Sequence, residues 1–203
     1  MAGPNIDFWQ QRFDAGQLPW DRGEPNPQLV KWLADGILPV GRIAVPGCGS
    51  GHEVEVLARA GFTVTALDYA PGAVERVRAR MCHTGLAATV LLQDVLEWQP
   101  PAALDAVYEQ TCLCALHPDR WTAYARQLHG WLRPDGQLAL LAMQALRAQA
   151  ADGFVEGPPY HVDIHALRAL FPLTDWVWPR PPYPRVPHPS AGQYELAVLL
   201  QRR

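Results

Sequence analysis

Three glycines at alternate positions, Gly47, Gly49 and Gly51, follow the apolar run Arg42-Ile-Ala-Val-Pro46. A carboxylate, Asp68, closes the next apolar run, Val64-Thr-Ala-Leu67. Glycines let a backbone approach a ligand closely, and an acid at the tip of the second strand of an α/β unit can hold ribose hydroxyls. A second acid, Asp94, ends a third apolar run; there it can accept from an adenine amino group, while Val95 packs on the ring or offers its N–H. The chemistry these residues share is nucleoside binding. Each signal alone has a plainer reading: a tight strand-to-helix turn, a cap for the helix opened by Pro71, a surface turn residue. The three in order are far more specific. The glycine spacing is G-x-G-x-G, and His52 stands where a dinucleotide fingerprint would place its third glycine. There is no phosphate-binding lysine of the Walker type, which argues against a nucleoside triphosphate.

Other reactive residues form no recognised constellation. His161 and His165 are four apart but lack the glutamate of a zinc-protease helix, and Cys112-Leu-Cys114 has one residue between its thiols, against the usual two. Cys48, Cys82, Cys112 and Cys114 read as free thiols, and no metal site is expected.

The elements that must position these groups alternate. Asn5 caps a short helix to about residue 16, with Ile6, Trp9 and Phe13 on one face, and a second helix runs over 27–34. Strands are expected at 42–46, 62–67, 88–92, 104–108 and 137–143, with helices at 53–60, 71–81 and 118–132 between them. Arg133-Pro-Asp-Gly136 reads as a turn, and 145–160 as an irregular insertion. A helix at 163–170, a strand near 173–178 and a final strand over 193–200 complete the chain. The fold class is α/β: a doubly wound, mainly parallel, seven-stranded sheet whose last strand, reached through a proline loop, pairs antiparallel.

The 203 residues suit a single domain, 1–203, with a cover over 1–40 and an α/β core over 41–203. A net charge of −3 argues against a large nucleic-acid footprint, which would need a basic face. No apolar run reaches the ~20 residues of a membrane span, and Met1-Ala-Gly-Pro-Asn-Ile-Asp7 lacks the pattern of a secretory signal, so the expected compartment is the cytoplasm. The 20 prolines cluster near the start and between Pro158 and Pro189, which marks those stretches as ordered loops outside the regular core.

Four blocks carry a resemblance across most of the chain: 8–23, with its tryptophans; Val45-Pro-Gly-Cys-Gly-Ser-Gly-His-Glu53; Tyr108-Glu-Gln-Thr-Cys-Leu-Cys-Ala-Leu116; and Gly157-Pro-Pro-Tyr160. Together they resemble the thiopurine S-methyltransferase family, and within it the thiol, halide and thiocyanate methyltransferase branch. That resemblance implies S-adenosyl-L-methionine as cofactor, S-adenosyl-L-homocysteine as product, a small-molecule acceptor and a monomer. It places Trp9, Phe13 and Trp20 over the cofactor, Gly47 at its methionine part, Asp68 at the ribose, and Asp94 with Val95 at the adenine. Gln110 stands where relatives place a tyrosine or an arginine against the cofactor. Tyr160 is the implied catalytic residue, touching the nucleophile, and the 145–160 and 179–192 loops border the acceptor. The residues agree with that chemistry. Aromatic faces attract a sulfonium, and a thiolate, selenolate or halide needs no strong base. Two alternatives stay open on the sequence: a non-catalytic protein that binds the same cofactor, and a nicotinamide-dependent oxidoreductase.

Overall fold

The computed structural model describes residues 3–146, 155–190 and 192–203. In chain order the elements are α1 (Ile6–Asp14), α2 (Pro27–Ala34), β1 (Arg42–Pro46), α3 (His52–Arg59), β2 (Thr63–Asp68), α4 (Pro71–Thr84), β3 (Thr89–Leu92) and β4 (Leu104–Gln110). Two 3₁₀ turns, Leu113–Ala115 and Pro118–Arg120, then lead to α5 (Trp121–Trp131), β5 (Leu132–Gln144), α6 (Ile164–Leu170), β6 (Trp176–Val177), β7 (Arg185–Pro187) and β8 (Tyr194–Arg202). The sheet order is β3-β2-β1-β4-β5-β8-β6, with β7 paired to β8. Strands β1 to β5 pair in parallel, and β8 runs antiparallel to β5. After β3 at one edge the chain returns to lay β4 beside β1. The carboxyl ends of β1 and β4 therefore flank the point where strand order reverses, which is where such sheets bind ligands.

Sequence periodicity locates these elements to within a few residues, and three departures have physical causes. Among the described residues the sheet has eight strands, because β7 forms inside the proline segment. Val186 is buried between exposed Arg185 and Pro187, an alternation that suits a short outer strand where proline is tolerated. The expected 133–136 turn is a bulge within β5. Leu132 pairs with Leu104 and Gln137 with Ala106, so four residues of β5 face Asp105 alone, and Asp135 takes a positive φ of 62°. The Arg133 guanidinium reaches Asp105 at 2.7 Å and closes that bulge. The strand near 173–178 shrinks to Trp176–Val177. Part of the 145–160 insertion, residues 147–154, lies outside the described residues.

Apolar side chains cover both faces. One face packs Tyr124, Leu128 and Trp131 of α5 with Phe171 and Trp176, and the other packs Leu29, Leu57 and Val77 of α2, α3 and α4 on Ile43 and Val64. Helix α1 lies outside this core and leans on α4. Its N-cap, Asn5, accepts from the Phe8 N–H at 3.0 Å, Gln10 accepts from the Gly72 N–H at 2.9 Å, and Arg76 donates to the Phe13 carbonyl at 3.3 Å.

Gly51 begins α3 with φ +76°, and a Cβ built there would stand 2.8 Å from a methyl of Val77 on α4. Gly51→Ala therefore meets both left-handed strain and overpacking. It is expected to lower unfolding free energy by about 1–3 kcal/mol, read as an earlier urea midpoint at unchanged slope.

Candidate active site

The carboxyl ends of the strands and α1 enclose a cavity of about 1010 Å³. One half is built after β1, β2 and β3. There Gly47 and Gly49, Asp68, and Asp94 with Val95 line the wall, while Trp9, Phe13 and Trp20 form the roof. The other half is built after β4 and β5 and before β8, from Cys112, Leu116 and His117, Met143, the Pro158–Pro159 pair, and His188. The sequence-predicted group Trp9, Phe13, Trp20, Gly47, Asp68, Asp94 and Val95 thus shares one cavity.

Asp68 is the best-defined polar group in it. The carboxylate is 8% exposed, its Oδ2 accepts from the Gly49 N–H at 3.1 Å, and its Oδ1 accepts from the Ala70 N–H at 3.0 Å. Burial raises the carboxyl to about 6, although these backbone donors pull it down. Asp68 thus braces the turn into α4 and also lines the cavity with lone pairs to spare. Asp94 similarly accepts from the Leu96 N–H at 2.8 Å while facing the cavity. At Gly49 a Cβ would meet only the Trp20 indole nitrogen at 3.8 Å and the Gly47 carbonyl at 4.0 Å, so the backbone there is open toward the roof. Trp20 stacks edge-on against Trp9, with centroids 5.4 Å apart, and against Phe13 at 6.0 Å.

The loop that carries Trp20 is pinned beside it. Asp21 accepts from the Ser50 hydroxyl and from the Gly23 N–H at 2.7 Å, and lies 3.0 Å from His52 Nε2. A hollow of about 50 Å³ remains beneath Trp20.

Gln110 and Tyr160 lie apart from the group. Gln110 borders the small hollow and is absent from the wall of the large cavity. Its amide donates to Glu195 at 3.1 Å, and its oxygen accepts from the Tyr108 hydroxyl at 2.7 Å. Tyr160 is 5% exposed and stands behind the cavity wall, its ring edge-on to His117 with centroids 5.5 Å apart. Its N–H donates to the Cys114 carbonyl at 2.8 Å, and burial raises its phenol.

Sequence reasoning missed His188. The Ser190 N–H donates to its Nδ1 at 3.1 Å, which leaves the ring proton on Nε2. Burial, with Arg22 nearby, pushes the imidazole down to about 4, so the ring is neutral near pH 7. Its Nε2 has no partner among the described residues. Nothing but the proline-rich setting marks this residue in the sequence.

A mainly parallel sheet with an antiparallel last strand, and a glycine loop answered by acids after the next two strands, define the class I S-adenosylmethionine-dependent methyltransferase fold. The family profile of Thiopurine S-methyltransferase (TPMT) matches residues 4–178, and the chain belongs to that family. It is 32% identical over 176 residues to probable thiol methyltransferase 2 of Arabidopsis thaliana, covering 85% of this chain and 75% of the relative. To thiocyanate methyltransferase 1 of the same plant it is 30% identical over 164 residues, covering 80% and 70%. Among solved structures it is similar to the 1,6-didemethyltoxoflavin-N1-methyltransferase of Burkholderia thailandensis, a complex with S-adenosylhomocysteine. There the TM-score is 0.76 at 19% identity, covering 97% of this chain and 86% of the other.

Beneath the cavity floor, Glu109 of β4 is fully buried. Its Oε1 accepts from the Leu113 N–H at 2.6 Å, and Oε2 has no partner among the described residues. Burial raises this carboxyl to about 8, so it holds its proton at neutral pH. A folded-state value above the unfolded one favours folding at low pH, and that contribution is lost as pH rises through 8. Between pH 6.5 and 8.5 the loss at this one group is about 1–2 kcal/mol. Glu109→Gln mimics the protonated acid. The variant is expected to match the parent in urea melts only at about pH 4, below the unfolded carboxyl's own value, and to exceed it by a growing margin as pH rises to 8.5.

Proposed function

We propose that this chain is an S-adenosylmethionine-dependent methyltransferase acting on the sulfur of a small-molecule acceptor. The observation that carries this reading is the meeting of Trp20, Asp68 and Asp94 on one cavity. The relatives named for thiol and thiocyanate methylation support sulfur as the accepting atom.

The residues present suit the cofactor. Asp68 has free lone pairs for ribose hydroxyls, Asp94 and the nearly buried Val95 suit an adenine amino group and ring, and Gly47 on the wall with the open backbone at Gly49 suits the methionine part. When bound, the cofactor supplies an electrophilic methyl group on a sulfonium and leaves as the neutral thioether. Trp9, Phe13 and Trp20 offer faces that attract a cation and shed water. Residues up to about 40 act as the cover. The opposite half, with Leu116, Met143, Pro158 and Pro159 as apolar wall, receives the acceptor and keeps it dry. His188 borders that half with a neutral ring. Tyr160 packs edge-on against His117, which lines the cavity.

Calorimetry is expected to show micromolar binding of S-adenosylhomocysteine, with methylation of members of a thiol panel. Absence of cofactor binding by the folded protein would sink the reading. Asp68→Ala should weaken binding at least about tenfold, the worth of a hydrogen bond to a charged group. Because the ionised carboxylate is the acceptor and titrates at about 6, affinity in the parent should fall as pH drops through that value. Tyr160→Phe should change kcat by less than about threefold, since only a group in contact with the reacting atoms contributes the larger factors of proton transfer.

A further inference from the structure

Glu195, on β8, has zero exposure and takes no part in the cavity wall. Its carboxylate nevertheless gathers three donors from two distant parts of the chain. Gln110 of β4 donates to Oε1 at 3.1 Å, Asn26 Nδ2 donates to Oε2 at 3.0 Å, and the Arg22 guanidinium lies 3.5 Å from the same oxygen. Arg22 also donates to the Pro187 carbonyl, at the end of β7 and next to His188. The Ser190 hydroxyl closes a further link to the Pro19 carbonyl at 3.3 Å. Arg22 and Asn26 belong to the segment between α1 and α2, which has no helix or strand of its own. Trp20, two residues before Arg22, is part of the cavity roof.

Ordering an irregular segment costs backbone entropy on every residue, so its position is only as definite as the bonds that hold it. Immediately after Trp20 that hold is Asp21 on Ser50 and His52. Further along it is Arg22 and Asn26 on Glu195. A buried carboxylate surrounded by directed donors tolerates few arrangements, because any donor that turns away leaves charge unpaired.

Resting on the methyltransferase reading above, we propose that Glu195 is a positioning residue. It holds the Trp20 strap and the His188 loop in one register, so that cofactor roof and acceptor wall are set by the same buried carboxylate.

The substitution Glu195→Gln keeps the shape and places an amide where donors converge. S-adenosylhomocysteine binding should weaken about tenfold. The same substitution in a Trp20→Ala background should cost less than about twofold, because the group it positions is gone. Without any ligand, amide hydrogen exchange should quicken over 19–26 and 187–190 while β1 and β4 keep their protection. Arg22→Gln cuts the link from the strap's side. It should reproduce the local exchange pattern, and it stands in if Glu195→Gln does not fold. Equal losses of affinity in both backgrounds, or unchanged exchange over 19–26 in the folded variants, would overturn the proposal. A parent protein that binds no S-adenosylhomocysteine would defeat the methyltransferase reading instead, and the exchange arm separates that failure from this one.

Discussion

The site depends on one costly arrangement: a carboxylate kept at the end of β2 with almost no water around it. Asp68 is held there by the amides of Gly49 and Ala70, which come from the two turns flanking the cleft. The glycine loop takes a left-handed backbone at Gly47, Gly49 and Gly51, a path that side chains would strain. That path brings the Gly49 N–H to Asp68. Acid and loop therefore define each other, and the distance between β1 and β2 is fixed by their parallel register from Arg42–Thr63 to Pro46–Leu67.

Around this centre the chain uses buried acids as organisers. Asp68, Glu109 and Glu195 are all buried, and burial raises each of them, to about 6, 8 and 7. The roles differ. Asp68 faces the cavity, Glu109 braces the turn after β4 that forms its floor, and Glu195 ties the cover to the last strand. The cover itself has two anchorages. Helix α1 rests on α4 through Gln10 and Arg76, whereas the strap after it rests on the glycine loop and β8.

The sequence made the alternating half legible because its first three strands are short apolar runs, each closed or followed within two residues by a residue that lines the cavity. Asp68 and Asp94 stand at those ends, and their shared cavity follows from the topology. What stayed hidden depends on partners distant in sequence. Gln110 follows β4 as a cofactor contact would, yet its amide is committed to Glu195, 85 residues away, a pairing no local pattern announces. Tyr160 sits in a distinctive proline element, yet its ring packs on His117, 43 residues away in sequence, while His117 lines the cavity. Strand β7 was concealed by its prolines, which local rules assign to loops while an outer strand accepts them.

The thiols on the cavity wall pose a chemical hazard of their own. Cys112 and Cys114 line the space where an electrophilic methyl group would be handled, and Cys48 sits in the glycine loop. An enzyme built to alkylate sulfur risks alkylating itself. Burial pushes all three thiols well above their ordinary range, so they remain protonated and weakly nucleophilic. The same dry lining that receives an incoming sulfur nucleophile thus keeps the protein's own thiols in their less reactive form.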